Sequence, residues 1–212
     1  MEIAKVHYLT QDGIEGMTHA ALAEAACIGG ATWVQLRMKT VPVTEQKKVA
    51  LQVQAVCKAH DAIFIINDNV TLAKEIGADG VHIGKNDMRP DRAREALGDT
   101  AIIGATANTL EDALKMASYP IDYLGIGPYK FTTTKENLAP VLGAEGIAEI
   151  VAALPNLPIV AIGGITPEDI LRVKETGVHG LALCSVVNES FDRASMMKQV
   201  LETFALDATI EQ

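Results

Sequence analysis

Short β-rich runs alternate along the chain with longer stretches whose apolar residues recur every three or four positions. The runs that read as strands are Val6–Leu9, Trp33–Leu36, Ile63–Ile66, Gly80–Ile83, Ile102–Ala105, Tyr123–Ile126, Ile159–Ile162 and Leu181–Cys184. Amphipathic segments follow at 15–28, 45–59, 70–77, 90–97, 109–117, 144–154, 167–176 and 190–204. Such alternation predicts βαβ units with right-handed crossovers, which leaves a closed barrel or an open doubly wound sheet. The phrase that leads into a strand recurs as Gly29-Gly30-Ala31-Thr32-Trp33, Gly77-Ala78-Asp79-Gly80-Val81 and Gly177-Val178-His179-Gly180-Leu181. Each places glycine after a helix, where a left-handed residue is wanted. This quasi-repeat favours the barrel, and the first strand is followed by no G-x-G-x-x-G. The expectation is one α/β domain over residues 1–212, a (β/α)₈ TIM barrel of eight parallel strands with outer helices.

Composition agrees with buried parallel strands. The chain of 212 residues is 49% apolar but 4% aromatic, so Ala, Val, Ile and Leu carry its hydrophobicity. A formal net charge of −9 argues against a nucleic-acid partner, which needs many cations. No apolar run is long enough for a bilayer, and Met1-Glu2-Ile3-Ala4-Lys5 carries no apolar signal core. Cys27, Cys57 and Cys184 are odd in number and include no C-x-x-C pair, as expected of free thiols in a reducing cytoplasm. No membrane association is expected. A homo-oligomer is compatible with the sequence.

In a barrel of this kind the chemistry gathers at the C-terminal ends of the strands. Gln35, Arg37 and Lys39 alternate with period two, so they share the face that points into the barrel mouth. Buried cations need an anionic partner. That partner is either Asp68 or Asp87 or, preferably, a phosphorylated ligand that a planar guanidinium can grip in two places. Asp68 and Asp87 end neighbouring strands; two hard oxygen ligands beside cations suit Mg²⁺ on a diphosphate, although Asp68 could instead or also cap the helix after it. Thr132-Thr133-Thr134-Lys135 is a hydroxyl-rich segment ending in a cation, in a loop long enough to act as a lid. Gly163-Gly164 after the seventh strand and Cys184-Ser185 after the eighth suit a monophosphate held by backbone N–H groups. His82 faces inward as either a core histidine or an acid–base group, and the other histidines show no metal-ligand spacing.

Taken together these stretches resemble the thiamine phosphate synthase family over nearly the whole chain. The resemblance rests on Val34-Gln35-Leu36-Arg37-Met38-Lys39, Ile66-Asn67-Asp68, Gly80 through Asp87, Ile103-Gly104-Ala105-Thr106, Gly125-Ile126-Gly127-Pro128 through Thr132-x-Thr134-Lys135, Ala161-Ile162-Gly163-Gly164-Ile165 and Cys184-Ser185. No single stretch is decisive; their joint order and spacing are highly specific. The resemblance implies a transferase that joins a hydroxymethylpyrimidine diphosphate to a thiazole phosphate, giving thiamine phosphate and diphosphate. By this resemblance, diphosphate would leave first and the thiazole nitrogen would capture the pyrimidine methylene cation.

By the same resemblance, Gln35, Arg37 and Thr106 would hold the pyrimidine, with Arg37 also reaching the diphosphate. Lys39, Asn67 and Lys135 would bind the diphosphate, with Arg37 and Lys135 as the catalytic cations, and Asp68 and Asp87 would bind Mg²⁺. Thr132, Thr134, Gly164, Cys184 and Ser185 would serve the thiazole phosphate. Three positions depart from the family pattern. Met38 stands where Glu is usual, Thr106 where Ser is frequent, and Phe131 where Pro often precedes the first loop threonine. Met38 should face the helix layer, away from the chemistry, whereas Phe131 is expected to bear on lid motion.

Three rivals share the fold: a thiazole tautomerase, a non-catalytic phosphate-ligand sensor, and another phosphate-binding barrel such as a sugar-phosphate epimerase or a tryptophan-pathway isomerase. The tautomerase uses a histidine in the loop after the sixth strand, where this chain has Pro128 and an intact Thr-x-Thr-Lys. Intact Asp68, Asp87 and Lys135 count against a sensor, and the epimerases have no use for the joint Asn67-Asp68 and Thr-x-Thr-Lys motifs.

Overall fold

The structure is a computed structural model that describes residues 2–131 and 140–206. Eight parallel strands close into a barrel in chain order. They are β1 Val6–Leu9, β2 Trp33–Leu36, β3 Ile63–Asn67, β4 Gly80–Ile83, β5 Ile102–Ala107, β6 Tyr123–Ile126, β7 Ile159–Ile162 and β8 Gly180–Leu183. Closure is made by Val6, His7 and Tyr8 lying in register with Leu181, Ala182 and Leu183. The chain therefore has the (β/α)₈ architecture that its pattern predicts, and the open sheet is excluded.

Helices α1 His19–Ile28, α2 Val43–Ala59, α3 Val70–Ile76, α4 Pro90–Leu97, α5 Leu110–Ala117 and α6 Gly143–Ala153 surround the strands. After a short 3₁₀ turn at Pro167–Asp169 come α7 Ile170–Glu175, α8 Ser185–Asn188 and α9 Arg193–Ala205. Their starts follow side-chain caps. Thr18 accepts from the Ala21 N–H at 3.1 Å, so α1 begins later than the amphipathic pattern from residue 15 suggested. Asn69 caps α3 and Asp192 caps α9 in the same way. Gly77 and Gly177 take left-handed φ values of 63° and 83°, as the repeated phrase predicts, whereas in its first copy Gly29 caps α1 with φ −74° and the left-handed residue is Gly30, at φ 97°.

Two apolar layers follow from the period-two alternation of the strands. Outward residues such as Val34, Leu36, Ile66, Val81, Ile103 and Leu124 pack beneath the helices, and Met38 joins that layer as expected. Inward residues Leu9, Trp33, Ile65, Ile102, Tyr123, Val160 and Ala182 fill the barrel. At the N-terminal rim, polar side chains tie the strands together. Asp79 accepts from the Phe64 N–H at 2.8 Å, Asp122 accepts from the Ile103 N–H at 2.7 Å, and the His179 ring bonds the Ile3 carbonyl at 2.8 Å. All three residues sit at the same place before a strand, and they hold the scaffold at the rim opposite the chemistry. Among the described residues, no helix is long and apolar enough to cross a membrane. All three cysteines are free, and burial pushes the Cys27 and Cys57 thiols up to about 11 and about 12.

Candidate active site

The exits of β2, β3 and β4 form one arc of the barrel mouth. Gln35 is almost fully buried, and its amide donates to Asn67 Oδ1 at 2.7 Å, which fixes both side chains across the β2–β3 seam. Lys39 Nζ lies 2.5 Å from Asp68 Oδ2. The internal ion pair weighed from the sequence is thus formed by Lys39 with Asp68. Asp68 has φ 66°, a left-handed backbone that Asp tolerates better than most residues. The neighbouring Asn69 caps α3, so the cap role considered for Asp68 is not its own.

The Asp87 carboxylate lies within hydrogen-bonding reach of Asp68. Partial burial, then the Asp68 carboxylate beside it, raise Asp87 above the ordinary carboxylate range, although the Gly84 N–H at 2.7 Å and Lys39 oppose this. Two facing carboxylates repel each other unless a proton or a cation lies between them. The described residues hold no cluster of three or more His, Cys, Asp or Glu side chains suited to a metal ion. The donor set is two hard oxygens beside a lysine.

The exit of β1 supports this arc, and reasoning from the sequence passed over it. Asp12 accepts from the Lys39 N–H at 2.5 Å and the Thr40 N–H at 3.1 Å, and it lies 2.9 Å from His19 Nε2. His19 Nδ1 reaches the Thr10 hydroxyl at 2.8 Å, and that oxygen also accepts from the Arg37 N–H at 3.1 Å. Burial would raise the Asp12 carboxyl, but the donors from Lys39, His19 and Thr40 outweigh it and hold it below the usual range. Thr10, Asp12 and His19 therefore shape the turn that carries Arg37 and Lys39. The polar run Thr10-Gln11-Asp12 marks a strand end in the sequence, but not its contacts with the β2 turn.

Thr106 ends the inward row of β5, and its hydroxyl lies 2.9 Å from His82 Nε2. His82 points into the barrel, as both of its sequence readings have it, and its Nδ1 lies 2.9 Å from the Tyr123 hydroxyl.

The second arc comes from β6, β7 and β8. Tyr129 N–H and Lys130 N–H donate to the Ile162 and Gly163 carbonyls at 2.9 Å each, so the segment after β6 runs against the end of β7. Gly164 lies under that segment; a Cβ there would stand 2.7 Å from the Phe131 carbonyl. Lys130 pairs with Asp169, whose other oxygen accepts from the Thr166 N–H at 3.1 Å and hydroxyl at 3.0 Å. Ser185 opens α8 directly after Cys184. That helix is anchored by the fully buried Asn188, which donates to the Leu9 carbonyl at 2.8 Å and the Cys184 carbonyl at 2.9 Å. Burial pushes the Cys184 thiol up to about 11, against the nearby Arg37 charge, so it stays a thiol. Thr132, Thr134 and Lys135 lie outside the described residues. All the other predicted site residues stand at strand exits around this one mouth.

A family model described as thiamine monophosphate synthase matches residues 6–187. The chain belongs to this family. The thiamine-phosphate synthase of Bacteroides thetaiotaomicron is 48% identical over 188 residues, covering 87% of this chain and 90% of its own. That of Flavobacterium johnsoniae is 42% identical over 177 residues, covering 82% and 84%. Among solved structures, thiamine phosphate pyrophosphorylase from Pyrococcus furiosus superposes with a TM-score of 0.85 at 32% identity, over 94% of this chain and 95% of its own. The family assignment drawn from the strand-end motifs is therefore upheld. The tautomerase and epimerase readings lose their ground to relatives bearing the synthase name.

Proposed function

We propose that the chain is a thiamine phosphate synthase, a transferase that joins hydroxymethylpyrimidine diphosphate to thiazole phosphate with release of diphosphate. The observation that carries this reading is the arc in which Lys39, Asp68 and Asp87 meet beside the Gln35–Asn67 pair. A lysine beside two carboxylates suits a diphosphate bound with a divalent cation, since Mg²⁺ takes one or two carboxylates and completes its shell with water and phosphate oxygens.

Asp68 and Asp87 would hold Mg²⁺, which would neutralise charge on the departing diphosphate. Gln35 and Thr106 would orient the pyrimidine, with Arg37 spanning ring and diphosphate. Lys39, Asn67 and Lys135 would grip the diphosphate. The carbon–oxygen bond to diphosphate breaks with its electron pair leaving on oxygen, and the thiazole nitrogen lone pair forms the new carbon–nitrogen bond. Such a departure asks for fixed positive charge around the leaving group more than for a general base. The second arc, with Gly164, Cys184 and Ser185 and the loop residues Thr132 and Thr134, would hold the thiazole phosphate so that its nitrogen faces the reacting carbon. No thiolate nucleophile is needed, in keeping with the protonated Cys184. The phosphorylated substrates are the only partners this reading requires, and the cytoplasm is where it places the reaction.

The test is synthesis of thiamine phosphate from the two substrates with Mg²⁺, its loss in EDTA, and its return on adding Mg²⁺. Turnover that is indifferent to the chelator would contradict the roles given to Asp68 and Asp87.

A further inference from the structure

We infer that His82 and Tyr123 are positioning residues that turn the Thr106 hydroxyl proton toward the barrel mouth, for donation to an acceptor nitrogen of the substrate's heteroaromatic ring. The inference rests on the synthase reading for the identity of that ring. Its geometry stands apart from that reading. Three groups form a line from the barrel centre to its mouth, with Tyr123 Oη 2.9 Å from His82 Nδ1 and His82 Nε2 2.9 Å from Thr106 Oγ1.

A neutral imidazole has one donor and one acceptor nitrogen, so the line has two possible polarities. In one, Tyr123 donates to Nδ1 and Nε2–H donates to Thr106, leaving the threonine proton to point elsewhere. In the other, Nδ1–H donates to Tyr123 and the phenolic proton needs a second acceptor. Tyr123 is 1% exposed, and its hydroxyl has no other hydrogen-bond partner among the described residues. Burial also raises the phenol far above its ordinary range, so it keeps its proton. The second polarity would bury an orphan donor in the barrel centre, and the first places the remaining proton on the half-buried Thr106. Burial thus selects the first.

The surroundings leave the two rings little freedom. A Cβ on Gly104 would lie 2.1 Å from Tyr123 Cζ, and one on Gly125 would lie 2.9 Å from His82 Cε1, so both rings occupy space that any larger residue would fill. Tyr123 is also met edge-on by His7 and Trp33, at centroid distances of 5.0 and 5.5 Å. The neighbouring Gln35 donates its amide N–H to Asn67 and keeps its carbonyl oxygen as an acceptor. A donor hydroxyl and an acceptor carbonyl match the ring nitrogen and exocyclic amine of an aminopyrimidine.

Nitrogen-15 NMR of protein with labelled histidine rings, together with steady-state kinetics, tests this. The wild-type protein should hold His82 as a neutral Nε2–H tautomer, and Tyr123→Phe should admit the Nδ1–H form. That substitution should raise KM for the pyrimidine diphosphate by about tenfold, the scale of one hydrogen bond, with KM for the thiazole phosphate unchanged. In a Thr106→Val background it should cost nothing further, whereas Thr106→Ser should keep the full effect. A wild-type His82 protonated at Nδ1 overturns the inference even if the variants fold poorly, and so does an equal penalty in both backgrounds or on both KM values. A wild-type protein that makes no thiamine phosphate overturns the synthase reading and the donor role with it. The tautomer in the same sample then separates that failure from a wrong polarity.

Discussion

Asp87 and Gly104 show how single residues divide between chemistry and packing. Partial burial and the facing Asp68 carboxylate raise Asp87 above its ordinary range, so its charge opposes folding above that range. Asp87→Asn removes the repulsion. We expect urea unfolding to show equal or greater stability, while Mg²⁺-dependent turnover falls by roughly 100-fold, the scale of several kcal/mol of lost charge stabilisation. A variant that is less stable and still active would contradict the placement of two carboxylates at one cation site. Gly104→Ala acts in the other direction. Its methyl would stand 2.1 Å from a Tyr123 ring atom in a closed barrel, so a loss of about 1–3 kcal/mol is expected in the same unfolding measurement. The sequence marked Asp87 by its place after a strand. It could not mark Gly104 as the space for a tyrosine ring, because that depends on the register of β5 against β6, which pairs Gly104 with Tyr123.

At the scale of elements, strand ends were legible and the connections between them less so. Short β-rich runs identified all eight strands, five of them with the same bounds, because parallel strands buried on both faces read as near-continuous apolar runs bounded by glycine or polar turn residues. The four-residue helix α8 escaped, since one turn is too short to show a helical period. The last amphipathic segment likewise began too early, because Asp192 sets the start of α9. The β1 exit escaped for a different reason. Its role depends on side chains reaching across to the β2 turn, a contact that no local pattern records. That turn supplies a prediction at this scale. Asp12→Ala removes the acceptor for the Lys39 and Thr40 N–H groups. KM for the pyrimidine diphosphate should rise by about tenfold with the fold retained, as when one or two net hydrogen bonds are lost. An unchanged KM would show that the β1 exit does not position Arg37 and Lys39.

The molecule as a whole places an aromatic and histidine cluster in the barrel beneath a polar mouth. His7 stacks on Trp33 at 4.0 Å between centroids. Burial, then the neighbouring His82, lower its pKa from 6.5 to about 3. The folded protein therefore refuses a proton that the unfolded chain accepts, and stability is lost as pH falls from about 6.5 toward about 3 and levels off below. The contribution approaches about 1.4 kcal/mol per pH unit inside that window. Unfolding of His7→Phe followed from pH 7 to about pH 4 should show a shallower loss than the wild type by up to that slope; parallel curves would contradict a buried neutral His7.

On the same scale the two arcs of the mouth, one from β2 to β4 and one from β6 to β8, carry the central claim that two phosphorylated substrates meet there. The most direct test supplies hydroxymethylpyrimidine diphosphate, thiazole phosphate and Mg²⁺ to the purified protein and measures both products by mass spectrometry. Thiamine phosphate and diphosphate should form in equal amounts, and neither when one substrate is withheld. Rearrangement of the thiazole with no thiamine phosphate formed would contradict it.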